Sequence, residues 1–158
     1  MGFNIGDTVI HWTYGLGEIA QIDEKPINGQ QTDCYVFQTS DMSIWIPIDQ
    51  LQQHSLRTPT PPEEFVNLYA ILKSPGEQLN EDRVLRKNQL MTQMHDGELA
   101  SICKVVRDLT HYKRISKLND QERSILERAE KSLLTEWTYS LGLSMSQAHQ
   151  ALMGLLEK

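Results

Sequence analysis

Long apolar runs are missing from this chain of 158 residues. No stretch reaches the roughly 20 apolar residues that a membrane span needs, and no basic-then-apolar signal pattern opens the sequence, so a cytoplasmic protein without a membrane partner is expected. Cysteine is scarce. Cys34 and Cys103 stand far apart with no CxxC spacing, and Cys103 falls among apolar helical positions, where a buried reduced thiol is expected. Patterns that carry chemistry are absent too. His11, His54, His95, His111 and His149 show no metal-ligand spacing, no HExxH, GxSxG or P-loop occurs, and no Cys–His arrangement is present. Most of these histidines are expected at the surface or in turns. Gly15-Leu16-Gly17 lacks the third glycine and the following helix of a phosphate loop, and reads as a turn between strands. The adjacent carboxylates Glu63-Glu64 and Glu81-Asp82 fall at helix starts, where the macrodipole favours them without any catalytic role. The expectation is a binding protein, not an enzyme, with no metal and no cofactor.

What is present is an ordinary globular composition, 39% hydrophobic and 23% charged, with an uneven charge distribution under a net charge of −6. Up to Thr60 the only basic residues are Lys25 and Arg57, against Asp7, Glu18, Asp23, Glu24, Asp33, Asp41 and Asp49. From Arg83 to Lys117 the balance reverses, with eight lysines and arginines against Asp96, Glu98 and Asp108. An acidic front and a basic helical segment suggest two partners of different charge, or a solvated helix surface.

The two halves carry different periods. Thr8-Val9-Ile10-His11, a run from about Glu18 to Asp23, Cys34 to Phe37, and Met42 to Ile46 read as short strands, with Asn28-Gly29 as a hairpin turn, Thr39-Ser40-Asp41 as a second turn and Pro47 as a stop. Such strands predict a small, bent β-barrel of the SH3 or Tudor kind over residues 1–57. Ile44 and Ile46 share one strand face, so Trp45 points the other way, toward a partner or the second domain. Residues 58–158 predict a compact all-α bundle of about five helices, giving an α+β, two-domain chain. Thr60 is expected to cap the first helix with Glu63, and proline to occupy its first position; Phe65, Leu68, Tyr69 and Leu72 form its stripe. The second helix, from about Glu81 to His95, turns Leu90, Met91 and Met94 inward. The third carries Leu99, Ile102, Cys103, Val106, Leu109 and Thr110. Asn119 with Glu122 caps the fourth, which buries Leu126, Ala129, Leu133 and Trp137 and ends at Gly142. Ser144 with Gln147 caps the last, which carries Ala148, Leu152 and Leu155.

Phe3-Asn4-Ile5-Gly6-Asp7-Thr8-Val9, the His11 to Gly17 turn, Asn28-Gly29, Asp41-Met42-Ser43-Ile44-Trp45-Ile46-Pro47, Asp96-Gly97, Val105-Val106-Arg107-Asp108-Leu109, Leu118 to Arg128 and Leu133-Leu134-Thr135-Glu136 occur in an informative order. Through them the chain resembles, over essentially its whole length, the CarD/CdnL family of bacterial RNA-polymerase-binding transcription regulators. Its front half is similar to the polymerase-interacting domain of transcription-repair coupling factors. The resemblance implies that the N-terminal module binds the polymerase β subunit by strand addition to the β protrusion, with Lys25 and Trp45 where relatives place contacting side chains, often arginines. It also implies that the helical domain contacts promoter DNA and modulates the open complex. At the position where relatives wedge a tryptophan into the minor groove this chain has Arg83, and two usually basic positions are Leu85 and Asn88. DNA contacts are expected from Arg83, Arg86, Lys87 and Arg123, mainly to phosphates, with weak sequence preference. An adaptor is the alternative: a monomer on polymerase whose helices dock another protein instead of DNA.

Overall fold

A computed structural model describes residues 2–50 and 55–157. The chain divides into two compact units, Met1–Pro59 and Thr60–Lys158. The first holds strands β1 (Thr8–His11), β2 (Gly15–Ile27), β3 (Gln30–Gln38) and β4 (Ser43–Pro47). They form an antiparallel sheet in the order β1-β2-β3-β4, so the expected α+β class with a small β module in front is what the chain adopts. The sheet is a meander and not a closed barrel: among the described residues β1 and β4 are not paired with each other. Beyond β1 the described residues add a bridge, in which Ile10 and Arg57 exchange both main-chain hydrogen bonds.

Turn chemistry sets the register. Asn28 and Gly29 both have positive φ (52° and 80°), the two-residue hairpin geometry whose twist matches that of the flanking strands. The strands around it are longer than the alternation suggested, because β2 and β3 pair from Glu18↔Gln38 to Ile27↔Gln30, with a register shift between Ile19 and Gln21. Gly15-Leu16-Gly17 opens β2, and a Cβ on Gly17 would lie 2.6 Å from the Phe37 ring, so this glycine serves close packing. Val9, Ile19, Tyr35, Phe37 and Ile46 form the core of the unit, with Ile44 packed against it. Among the described histidines His11 is the one buried. Its Nδ1 accepts from the Thr13 and Tyr14 N–H groups, and its ring lies against Tyr14 and Phe37. His54 lies outside the described residues.

The second unit holds α1 (Phe65–Lys73), α2 (Arg83–His95), α3 (Leu99–Ile115), α4 (Asp120–Leu141) and α5 (Met145–Leu156). The capping boxes of Asn119 with Glu122 and of Ser144 with Gln147 are both formed, and Gly142 ends α4 in the left-handed conformation. Thr60 does not cap α1. Its N–H and Oγ donate instead to Glu136 Oε2 on α4, at 2.7 and 2.6 Å, and Pro62 opens a 3-10 turn that runs into the helix. A buried carboxylate accepts two hydrogen bonds there, which the threonine would otherwise have spent on its own helix.

Helix α3 packs against α1, α2 and α4, so it is buried on more than one side. That surrounds Cys103 with apolar neighbours, and burial pushes its thiol up to about 12, with Glu136 adding to the rise and Arg107 opposing it. Cys34 is also buried and unpaired. Both thiols are therefore expected to resist a thiol-specific disulfide reagent at about pH 8 in the native protein and to react together on denaturation. Rapid native reaction of either would contradict this packing. Since the folded state holds the Cys103 proton more tightly than the unfolded chain, that contribution to stability is present below about pH 9 and lost as pH rises toward 12.

Candidate functional site

Trp45 stands near the middle of β4, the edge strand, on the face opposite the Ile44 and Ile46 side chains, and is 38% exposed. The alternation argument placed it outside the core, and there it lies. Across the ladder it faces Val36, which in turn faces Gln21 on β2. Its indole Nε1 donates to Asp23 Oδ2 at 3.3 Å, and the Lys25 ammonium sits 4.3 Å from the ring centroid. The two residues read as polymerase contacts thus form one cluster with a third, Asp23. No local pattern signals Asp23, since 22 positions separate it from Trp45. Burial raises the Cys34 thiol first, the carboxylates of Asp33 and Asp49 add to the rise, the Lys25 ammonium opposes it and Asp23 adds the least.

The expected DNA residues separate. Arg83 and Lys87 are exposed, four residues apart on the first turns of α2, and form no ion pair among the described residues. Arg123 is about half exposed; it donates to the Leu118 carbonyl and pairs with Asp120. Arg86, expected at the DNA surface, is instead turned into the interior. It is 8% exposed, its Nε pairs with buried Glu122, its Nη1 donates to the carbonyls of Asn80 and Glu81, and its guanidinium lies 5.2 Å from the Tyr112 ring centre. The physical reason is periodicity: positions 86, 90 and 94 share one helix face, and Leu90 and Met94 are core.

By anchoring α2 to Glu122, Arg86 brings the start of α2 to the start of α4 and the last turns of α3. A groove of about 590 Å³ lies between the end of α3, the segment after it and the first half of α4, lined by Lys113, Arg114, Lys117 and Arg123 against Glu127 and Glu130. Burial raises the Glu130 carboxyl, while His149 and Lys113 pull it back. On the exposed side of α2 next to Arg83, Val84 and Leu85 are 66% and 55% exposed. Two large aliphatic side chains left in water between two unpaired cations make a mixed apolar and basic surface, which charge counting alone does not reveal.

Two family models match the chain. The CarD-like/TRCF RID domain family matches residues 3–59, and the CarD, C-terminal domain family matches residues 67–153. The chain belongs to the CarD family. The two matches fall within the two units of the CarD-family chain, one on the sheet and one on the helices. A relative, the putative transcription factor YdeB of Bacillus subtilis (strain 168), is 28% identical over 151 residues, covering 92% of this chain and 96% of that protein. Among the described residues no helix is long and apolar enough to cross a membrane, and no group of His, Cys, Asp and Glu side chains is arranged to hold a metal ion.

Proposed function

We propose that this CarD-family chain is a cytoplasmic, monomeric transcription regulator, not an enzyme, associated with the nucleoid through its partner. Its sheet unit binds the protrusion of the RNA polymerase β subunit, and its helical unit contacts promoter DNA to modulate the open complex. Trp45 carries this reading. It is a half-exposed aromatic on an edge strand whose outer main-chain groups are unpaired among the described residues. Edge main-chain groups supply affinity by strand addition, and a projecting tryptophan supplies a contact anchor. In a pull-down of purified β protrusion by the full chain, Trp45→Ala is expected to weaken binding by tenfold or more at unchanged melting temperature. Equal capture by wild type and variant would remove Trp45 from the interface.

For the helical unit the supporting features are Arg83 and Lys87 as phosphate contacts, Arg123 nearby, and Leu85 with Val84 as the apolar surface. An arginine cannot replace an apolar wedge, whereas a leucine two residues on can press against an unstacked step. The Arg83→Glu/Lys87→Glu double variant is expected to reduce the slope of log affinity against log salt by roughly two for a promoter fragment. Leu85→Ala is expected to leave that slope alone and shorten the open-complex lifetime about fivefold. An unchanged slope in the double variant would overturn the phosphate assignment.

One observation favours the adaptor reading, in which the helices dock a protein. The helical unit has 13 lysines and arginines against 14 carboxylates, and Arg86 is committed to its interior. Polymerase binding by a full chain that shows no DNA affinity even at low salt would select that reading.

A further inference from the structure

We infer that Asp23 and Lys25 are positioning residues that hold the Trp45 indole ready for its partner, so that Lys25 acts through Trp45 and not as a separate contact. The inference rests on the polymerase-facing reading of Trp45. Among the described residues strand β4 is bonded to β3 alone, yet the Trp45 side chain reaches across β3 to both residues on β2. The register permits this: Gln21, Asp23 and Lys25 alternate along one face of β2, and on β3 they oppose Val36, Cys34 and Thr32. Trp45 opposes Val36 from the far side. Spanning β3 fixes the ring at two points, through its N–H at Asp23 Oδ2 and through its π face at the Lys25 ammonium. Gln21 Nε2 donates to the same Asp23 oxygen at 2.9 Å and steadies the acceptor.

An aromatic side chain on an edge strand would otherwise sample several rotamers and lose that freedom on binding. Fixing it beforehand is worth about two- to tenfold in affinity. The arrangement also states what the partner presents. The indole N–H is already spent on Asp23 and a ring face on Lys25, so the partner meets carbon: an apolar recess that takes the ring edge, with no acceptor required for Nε1.

Double-mutant cycles on the full chain, with purified bacterial RNA polymerase as the probe, test this. Asp23→Ala and Lys25→Met are each expected to weaken binding two- to tenfold, and both losses are expected to vanish when Trp45 is already alanine. Asp23→Asn keeps an acceptor and Lys25→Arg keeps a cation over the ring, so each is expected to stay within twofold of wild type. In the free protein, Asp23→Ala is expected to move the indole N–H resonance of Trp45 but not those of Trp12 and Trp137. Losses as large in the Trp45→Ala background as in wild type would make Asp23 and Lys25 independent contacts and overturn the inference. So would unchanged binding by Asp23→Ala and Lys25→Met while Trp45→Ala binds weakly. If Trp45→Ala itself binds like wild type, the polymerase-facing reading fails first and the inference falls with it.

Discussion

Arg86→Ala is expected to lower the unfolding free energy by about 3–5 kcal/mol, the range for removing one partner of a buried ion pair. The substitution strands Glu122, which is 3% exposed and loses the cation that faces it. It also leaves the Asn80 and Glu81 carbonyls without their guanidinium donor. Glu122 has a second task, since its other oxygen accepts the Asn119 N–H in the capping box that starts α4. Its desolvation penalty is therefore felt at the helix start as well, because tilting Glu122 toward water breaks the box. At roughly 4–8 °C per kcal/mol for a unit of this size, the melting temperature should fall by more than about 12 °C. Arg86→Glu should be at least as damaging, as it sets two carboxylates together in the interior. A loss of DNA affinity by that variant would report unfolding and not a missing phosphate contact. Replacing both partners at once, Arg86→Met with Glu122→Leu, should cost less than Arg86→Ala alone, because no charge is left buried. Thermal denaturation of the three variants checks this, and Arg86→Ala melting within about 3 °C of wild type would refute it.

Arg86 also shows where sequence reasoning stops. Counting charges between Arg83 and Lys117 treats every cation as surface, yet Arg86 and Arg107 are both buried. Position 86 shares the helical face of Leu90 and Met94, so its burial was legible in the spacing, but its partner Glu122 lies 36 residues away and was not. Caps, the Asn-Gly hairpin and the face of Trp45 were legible because each depends on a few adjacent residues and one geometric rule. The Thr60–Glu136 bonds, the reach of Trp45 to Asp23 and the burial of His11 were not, since each depends on which elements the tertiary fold brings together. The full lengths of β2 and β3 were not legible either. A ribbon running past its neighbours is half exposed on both faces there, so its residues carry no alternation to read. The apolar pair Val84 and Leu85 escapes for the opposite reason: a stripe analysis of α2 looks for apolar residues facing inward, and these face out.

The second large effect is expected from Asp108→Ala, about 3–4 kcal/mol, by a different route. Asp108 Oδ1 accepts two hydrogen bonds at 2.9 Å, from its neighbour Arg107 Nε and from the Glu77 main-chain N–H. The first neutralises a guanidinium that is only 6% exposed, and the second ties the segment after α1 to the middle of α3. Removing the carboxylate leaves Arg107 with the Ser74 hydroxyl at 2.7 Å and the exposed Glu77 carboxylate at 3.7 Å, while its Nη2 already lacks a hydrogen-bond acceptor. A charge so poorly compensated pulls toward water, and the path to water is to displace the 74–77 segment. That segment is closely seated: a Cβ on Gly76 would lie 2.6 Å from the His111 Cβ. Loosening it should therefore raise amide exchange at residues 74–79 beyond the global loss of stability. Asp108→Asn keeps one acceptor oxygen and gives up the charge, so it should fall between wild type and alanine. Chemical denaturation of both variants measures the ordering, and hydrogen exchange locates the loss. If Asp108→Ala unfolds at the wild-type midpoint, Arg107 must be neutralised by a group other than Asp108, and the tie between this segment and α3 does not stabilise the fold.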